Sequence, residues 1–145
     1  MSKKVESAID LFSNGSNCSQ AVFATFCENY GINKEQAFKI ACGFGGGIRS
    51  GEVCGAVSGA VMVIGLKYGN ENFDDLEVKK LCCAKTVEFI NCFKVKYNSI
   101  VCRELLGIDI FVGDGMKLAN EKGLFKTTCV DMIRSAVEIL EEQGY

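Results

Sequence analysis

The sequence predicts an all-α protein, a single-domain compact helical bundle over residues 1–145 with a buried Gly/Ala-rich central helix, and three observations lead there. Proline is absent from the whole chain, so no ring interrupts a helix. Helix N-cap signals recur from end to end. No segment sustains the two-residue apolar alternation of a half-buried strand. An apolar fraction of 48% with 23% charged residues over 145 positions is ample for one packed core.

The first helix is expected from about Lys3 to Ser13, where Val5, Ala8, Ile9 and Phe12 fall on one face and Gly15 lies beyond the end. Asn17 with Gln20 forms a capping box that opens a second helix over about 18–30. Its apolar face carries Cys18, Val22, Phe23, Phe26, Cys27 and Tyr30, and Gly31 stops it. Asn33 with Gln36 repeats the signal and starts a short helix through Ala37, Ile40 and Ala41. It runs into a glycine loop, Cys42 to Gly51, that contains Gly45, Gly46 and Gly47.

A core helix follows from about Glu52 to Tyr68. Gly51, Gly55 and Gly59 recur every four residues there beside Ala56 and Ala60, a ridge that admits another backbone closely. A long helix from about Asp74 to Lys96, a short one from Ser99 to Leu106, an acidic-glycine turn near Gly113 to Gly115 and a final helix from Cys129 to Glu142 complete the reading.

Composition removes several classes of function. The 16 basic and 18 acidic residues are interleaved and leave a net charge of −2, with no basic run to neutralise phosphates, so nucleic acid is not an expected partner. The N-terminal run from Met1 to Glu6 is charged and lacks the apolar stretch of a signal peptide, which predicts a cytoplasmic location. The most apolar segment, Val53 to Leu66, is 14 residues long, against the ~20 needed to span a bilayer. Histidine is absent, which excludes Ser-His-Asp and Cys-His catalysis and histidine-ligated metals.

Nine cysteines remain to carry unusual chemistry. An odd number without an export signal argues for reduced thiols or thiolate ligands rather than a disulfide framework. No CxxC pair occurs, so thioredoxin-type, zinc-ribbon and ferredoxin spacings are all unmatched. The helix signals divide the nine. Cys18, Cys54, Cys102 and Cys129 fall at expected helix starts and share faces with apolar residues, so four thiols are expected to converge where free amides and the helix dipole favour a thiolate. The dipole alone contributes only about 0.3–1 kcal/mol, whereas a metal would deprotonate its thiols outright. Cys27, Cys42, Cys82, Cys83 and Cys92 are expected to be small buried hydrophobes. Arg49 and Arg103 lie near singled-out cysteines and read equally well as thiolate-stabilising or as ordinary surface residues.

The ordered series Asn17-Cys18-Ser19-Gln20-Ala21-Val22, Gly45-Gly46-Gly47, Cys54-Gly55-Ala56-Val57-Ser58-Gly59, Cys102-Arg103-Glu104-Leu105-Leu106-Gly107 and Cys129 resembles the redox-active protein family named for a CGAxxG motif with three further cysteines. The resemblance covers nearly the whole chain. It implies an all-helical protein with Cys18, Cys54, Cys102 and Cys129 as the motif cysteines. The family is also similar to the iron–sulfur part of split-Soret cytochromes, which implies a cluster site. The chain departs from the bare pattern in five extra cysteines, including adjacent Cys82-Cys83, and carries no haem-attachment sequence.

Three readings follow. The first is an iron–sulfur or related cluster protein in electron transfer, with Cys18, Cys54, Cys102 and Cys129 as metal ligands and Gly45, Gly46, Gly47, Gly55 and Gly59 as supporting backbone. The second is a metal-free thiol–disulfide redox protein using two of the same cysteines. The third is a structural tetrathiolate zinc site. The redox partner is not identified, and a homodimer stays open.

Overall fold

Side-chain caps decide where the first three helices begin. The computed structural model describes residues 1–145, and in it Ser2 Oγ accepts from the Val5 amide at 3.1 Å to open α1, Lys3–Ser13. Both expected capping boxes form, Asn17 with Gln20 at the start of α2 (Cys18–Phe26) and Asn33 with Gln36 at the start of α3 (Lys34–Ala41). The expected 18–30 helix tightens after Phe26 into a 3₁₀ turn, Cys27–Tyr30, which ends at Gly31 with φ 84°.

The helices that follow are α4 (Gly55–Tyr68), α5 (Leu76–Tyr97), α6 (Cys102–Leu106), α7 (Gly115–Glu121) and α8 (Thr128–Glu142). Helix α4 is the centre of the bundle. It buries Ala56, Val57, Ala60, Val63 and Ile64 and packs on α2, α5 and α8, and one contiguous cluster of buried side chains joins all four to α1. A β-carbon added to Gly59 would stand 2.7 Å from the Ser19 carbonyl oxygen, so the backbones of α2 and α4 are nearly in contact. Gly51 does not continue that ridge. It lies in the preceding turn at φ 69°.

Two expected helix starts shift because the chain is extended there. The Cys54 amide donates to the Ile100 carbonyl at 2.7 Å and the Cys102 amide to the Glu52 carbonyl at 2.6 Å, around a lone antiparallel bridge between Val53 and Val101. These bonds draw Glu52–Cys54 and Ser99–Val101 out of the helices expected from Glu52 and Ser99. Helix α7 stands where only an acidic-glycine turn was expected. Its first residue, Gly115, lies against the Asp109 carbonyl so closely that a β-carbon would overlap it, so the glycine read as a turn marker is a packing residue at a helix start.

Helix α5 buries only Phe89 and Phe93, and Cys82 lies half-buried on the same stripe. Cys83 and Cys92 fall off that stripe and are exposed, as is Cys42 at the end of α3. Of the five cysteines expected to be buried hydrophobes, only Cys27 is fully so. No helix is long and apolar enough to cross a membrane. A far-UV circular dichroism spectrum is expected to show deep minima of α-helix, since the extended structure is one isolated bridge; a sheet-dominated spectrum would contradict this architecture.

Candidate functional site

The four cysteines singled out by their positions in sequence come from four different helix starts. Cys18 is the first residue of α2, Cys54 caps α4, Cys102 opens α6 and Cys129 is the second residue of α8. All four line one cavity of about 350 Å³, a size typical of small-molecule sites. Its remaining wall is mostly apolar, with Phe12, Leu105, Ile110, Met116, Phe125 and Met132 among its residues. None of Cys27, Cys42, Cys82, Cys83 and Cys92 reaches it.

Hydrogen bonds and close packing fix three of the four thiols. The Asn17 cap that starts α2 also donates from Nδ2 to the Cys42 carbonyl at 2.9 Å, and Gln20 Nε2 donates to the Phe38 carbonyl at 3.0 Å. Cys18 is thereby tied to the end of α3 and the glycine loop. A β-carbon on Gly45 would come within 2.6 Å of Asn17 Cβ, and one on Gly55 would overlap Cys18 Sγ. The bare glycine after Cys54 therefore makes room for the Cys18 sulfur. Cys54 and Cys102 are set by the two bonds that flank the Val53–Val101 bridge.

The glycine loop wraps over Cys18 in an unusual form. Gly46, Gly47, Ile48 and Arg49 are all left-handed, at φ 62°, 65°, 57° and 53°, and the Glu52 amide closes the turn on the Gly47 carbonyl at 3.0 Å. Left-handed backbone costs a non-glycine residue roughly 1–2 kcal/mol, and half-exposed Ile48 gains no buried packing in return. Such strain is held where the surroundings determine it and concentrates at functional sites. The turn aims the Gly46 amide at Cys18 and carries Arg49 to the cavity, with its guanidinium 4.9 Å from the Phe111 ring centre. Arg103, by contrast, pairs with Glu52 at 2.8 Å and donates to the Gly51 carbonyl at 3.1 Å, outside the cavity.

These contacts give the four thiols different acidities. Hydrogen bonding from Cys54, together with the amides of Gly46, Cys18 and Gly55, brings the Cys18 thiol down to about 7 against the opposing effect of burial. Cys54 moves in the opposite direction, well above the usual thiol range, because it supplies that hydrogen bond and is itself buried. Burial and the neighbouring Cys18 charge push Cys102 up to about 11 and Cys129 up to about 12. Around neutral pH Cys18 is therefore the one thiol of the four that ionises, while the other three stay protonated.

The chain matches, over residues 16–143, the model of the family described as "Putative redox-active protein (C_GCAxxG_C_C)". The chain belongs to this family. The family's redox character falls on a protein whose motif cysteines share one cavity. No curated protein and no solved structure matches it.

The donor geometry bears on the metal readings. No three Cys, Asp or Glu side chains are grouped closely enough to surround one metal ion, so the thiols as they stand do not fit a tetrathiolate zinc site, which needs four sulfurs about 2.3 Å from a single ion. Sequence reasoning missed part of the cavity wall, Met116 and Asn120, because they stand on α7. Asp114 ahead of Met116 and Ala119, three residues apart, was the available signal.

Proposed function

We propose that this protein is a thiol–disulfide redox carrier in which Cys18 is the attacking thiolate and Cys54 the resolving thiol. The observation that carries this reading is geometric: both thiols stand at helix starts and face one cavity, and the Cys18 sulfur lies against Gly55, the residue that follows Cys54. The oxidant is a disulfide R–S–S–R′ that enters the cavity. Cys18 S⁻ attacks one sulfur, forming a Cys18–S–S–R mixed disulfide and releasing R′–S⁻. Cys54, losing its proton, then attacks the Cys18 sulfur and expels R–S⁻. The proton lost by Cys54 goes to one released thiolate, and the other takes one from solvent. Two electrons pass to the substrate, and the protein retains a Cys18–Cys54 disulfide for a thiol reductant to reopen.

The amides of Gly46 and Gly55 act before the chemistry, by holding Cys18 as a thiolate. The apolar wall suits a hydrocarbon substituent on the mixed disulfide. The carrier belongs in a reducing compartment such as the cytoplasm, where nine unpaired cysteines stay reduced.

A second reading is favoured by Cys102 and Cys129, which face the same cavity and have no part in a two-thiol exchange. A multinuclear iron–sulfur cluster spreads its ligands over several metal atoms and uses four thiolates, so its demands differ from those of a single ion. Cys18, Cys54, Cys102 and Cys129 would hold it, and it would supply one-electron chemistry.

The two readings separate in one experiment. Protein isolated without oxygen is analysed for iron and sulfide, and its metal-free form is oxidised with one equivalent of diamide and mapped by peptide mass spectrometry. The carrier reading expects no stoichiometric iron, a Cys18–Cys54 bridge, and Cys18 alkylation by iodoacetamide that rises through about pH 7. The sign follows from the acidity: below that pH Cys18 is protonated and slow, above it a thiolate and fast. Stoichiometric iron and sulfide, or a bridge elsewhere, sinks it.

A further inference from the structure

We propose that the cavity over Cys18 selects small, largely apolar molecules that carry a negative charge, with Arg49 as the anchoring cation. This deepens the thiol-exchange reading and rests on it by naming the kind of disulfide that enters. The cavity volume, about 350 Å³, suits a compact organic molecule, and its walls are mainly hydrocarbon and sulfur. Arg49 is the one residue of permanent charge that lines it.

Arg49 is also the exception among the three arginines. Arg103 is paired with Glu52 and Arg134 with Asp131, whereas Arg49 has no carboxylate within ion-pair distance. Its guanidinium rests instead against the Phe111 ring, which leaves the charge unneutralised. That placement depends on the backbone. Gly46 lacks a β-carbon where one would stand 2.8 Å from Phe111 Cζ, and left-handed φ at Ile48 and Arg49 turns the side chain back to the rim. A surface arginine with no task would not require two strained non-glycine residues.

The charge balance points the same way. A thiolate at Cys18 repels an approaching anion, and an unpaired guanidinium at the same cavity offsets that repulsion while its planar donors suit a carboxylate. A neutral disulfide gains nothing from Arg49, and a cationic one meets repulsion from it.

The test compares two reagents on the reduced, full-length protein: the dianionic aromatic disulfide dithiobis(nitrobenzoate) and neutral dipyridyl disulfide. Loss of the free Cys18 thiol is timed by quenched alkylation and peptide mass spectrometry, which separates Cys18 from exposed Cys42, Cys83 and Cys92. The readout is the ratio of the anionic to the neutral rate constant. Arg49→Gln is expected to lower that ratio about threefold to tenfold, the range for one partly solvated charge contact, and Arg49→Lys to restore part of it. Raising the salt concentration should lower the ratio in the native protein and change it little in Arg49→Gln. An unchanged ratio in Arg49→Gln overturns the proposal while the exchange reading stands. Failure of Cys18 to react with either reagent overturns the exchange reading, and this proposal with it.

Discussion

Cys54→Ser is expected to abolish the reversible two-electron couple of the metal-free protein, while Cys82→Ser leaves it intact. The difference is positional. Cys54 caps α4 against the Cys18 sulfur, whereas Cys82 lies inside α5 with its carbonyl bonded to Thr86 and no access to the cavity. Serine keeps the size and a hydrogen-bond donor but forms no disulfide. Cys18 in Cys54→Ser should therefore stay reactive and accumulate as a mixed disulfide that is not resolved. Cys54→Ala removes the donor as well, and in that variant the alkylation midpoint of Cys18 should rise from about 7 towards the ordinary thiol range. Thiol titration against a dithiol/disulfide buffer, with peptide mapping, reads all three variants. If the couple survives in Cys54→Ser or disappears in Cys82→Ser, the adjacent Cys82 and Cys83 become the better redox pair.

The second large effect is expected at Gly59. Gly59→Leu should destabilise the fold by about 1–3 kcal/mol, as overpacking does, because its added atoms meet main chain: Ser19 O at 2.7 Å and Ser19 Cα at 3.2 Å from the first carbon alone. Backbone cannot rotate aside as a side chain can, so α2 would have to move away from α4 and carry Cys18 with it. Gly65→Ala is the matched control on the same helix. Nothing lies within 4 Å of its added carbon, and alanine in a helix interior is favoured by roughly 0.5–1 kcal/mol. Chemical denaturation should move the midpoint down for the first variant and not down for the second. Equal midpoints for Gly59→Leu and the native chain would mean that α2 and α4 are not closely packed.

Much of this site was legible in the sequence because capping is local. Asn17 and Gln20 announce the start of α2 within four residues, and Ser50-Gly51 and Thr127-Thr128 mark the approaches to α4 and α8, so the cysteines beside them could be sorted from the other five. The facing of those four into one cavity followed from helical periodicity. What the sequence left open depends on distant segments meeting. Nothing local to Cys54 says that residue 100 supplies the acceptor for its amide, or that the Cys18 sulfur lies against the glycine that follows it. The left-handed run from Gly46 to Arg49 was invisible for a different reason: glycines permit such a turn without requiring it, and Ile48 disfavours it. Burial of Cys83 and Cys92 was misjudged because residue type speaks for the average cysteine, while one core stripe on α5 decides these two.

The clasp around Val53 and Val101 also bears on how the site is assembled during folding. Its two hydrogen bonds, Cys54 to Ile100 and Cys102 to Glu52, close a loop that contains all of α4 and α5, so the entropy of a long closure must be met before either bond forms. Helices α1 to α5 are each built from near neighbours in sequence, whereas the backbone at Cys54 and Cys102 is held by one shared non-local contact. Under the exchange reading, the attacking thiol is thus set by the local start of α2, whereas the resolving thiol is set by a contact with a segment almost fifty residues away.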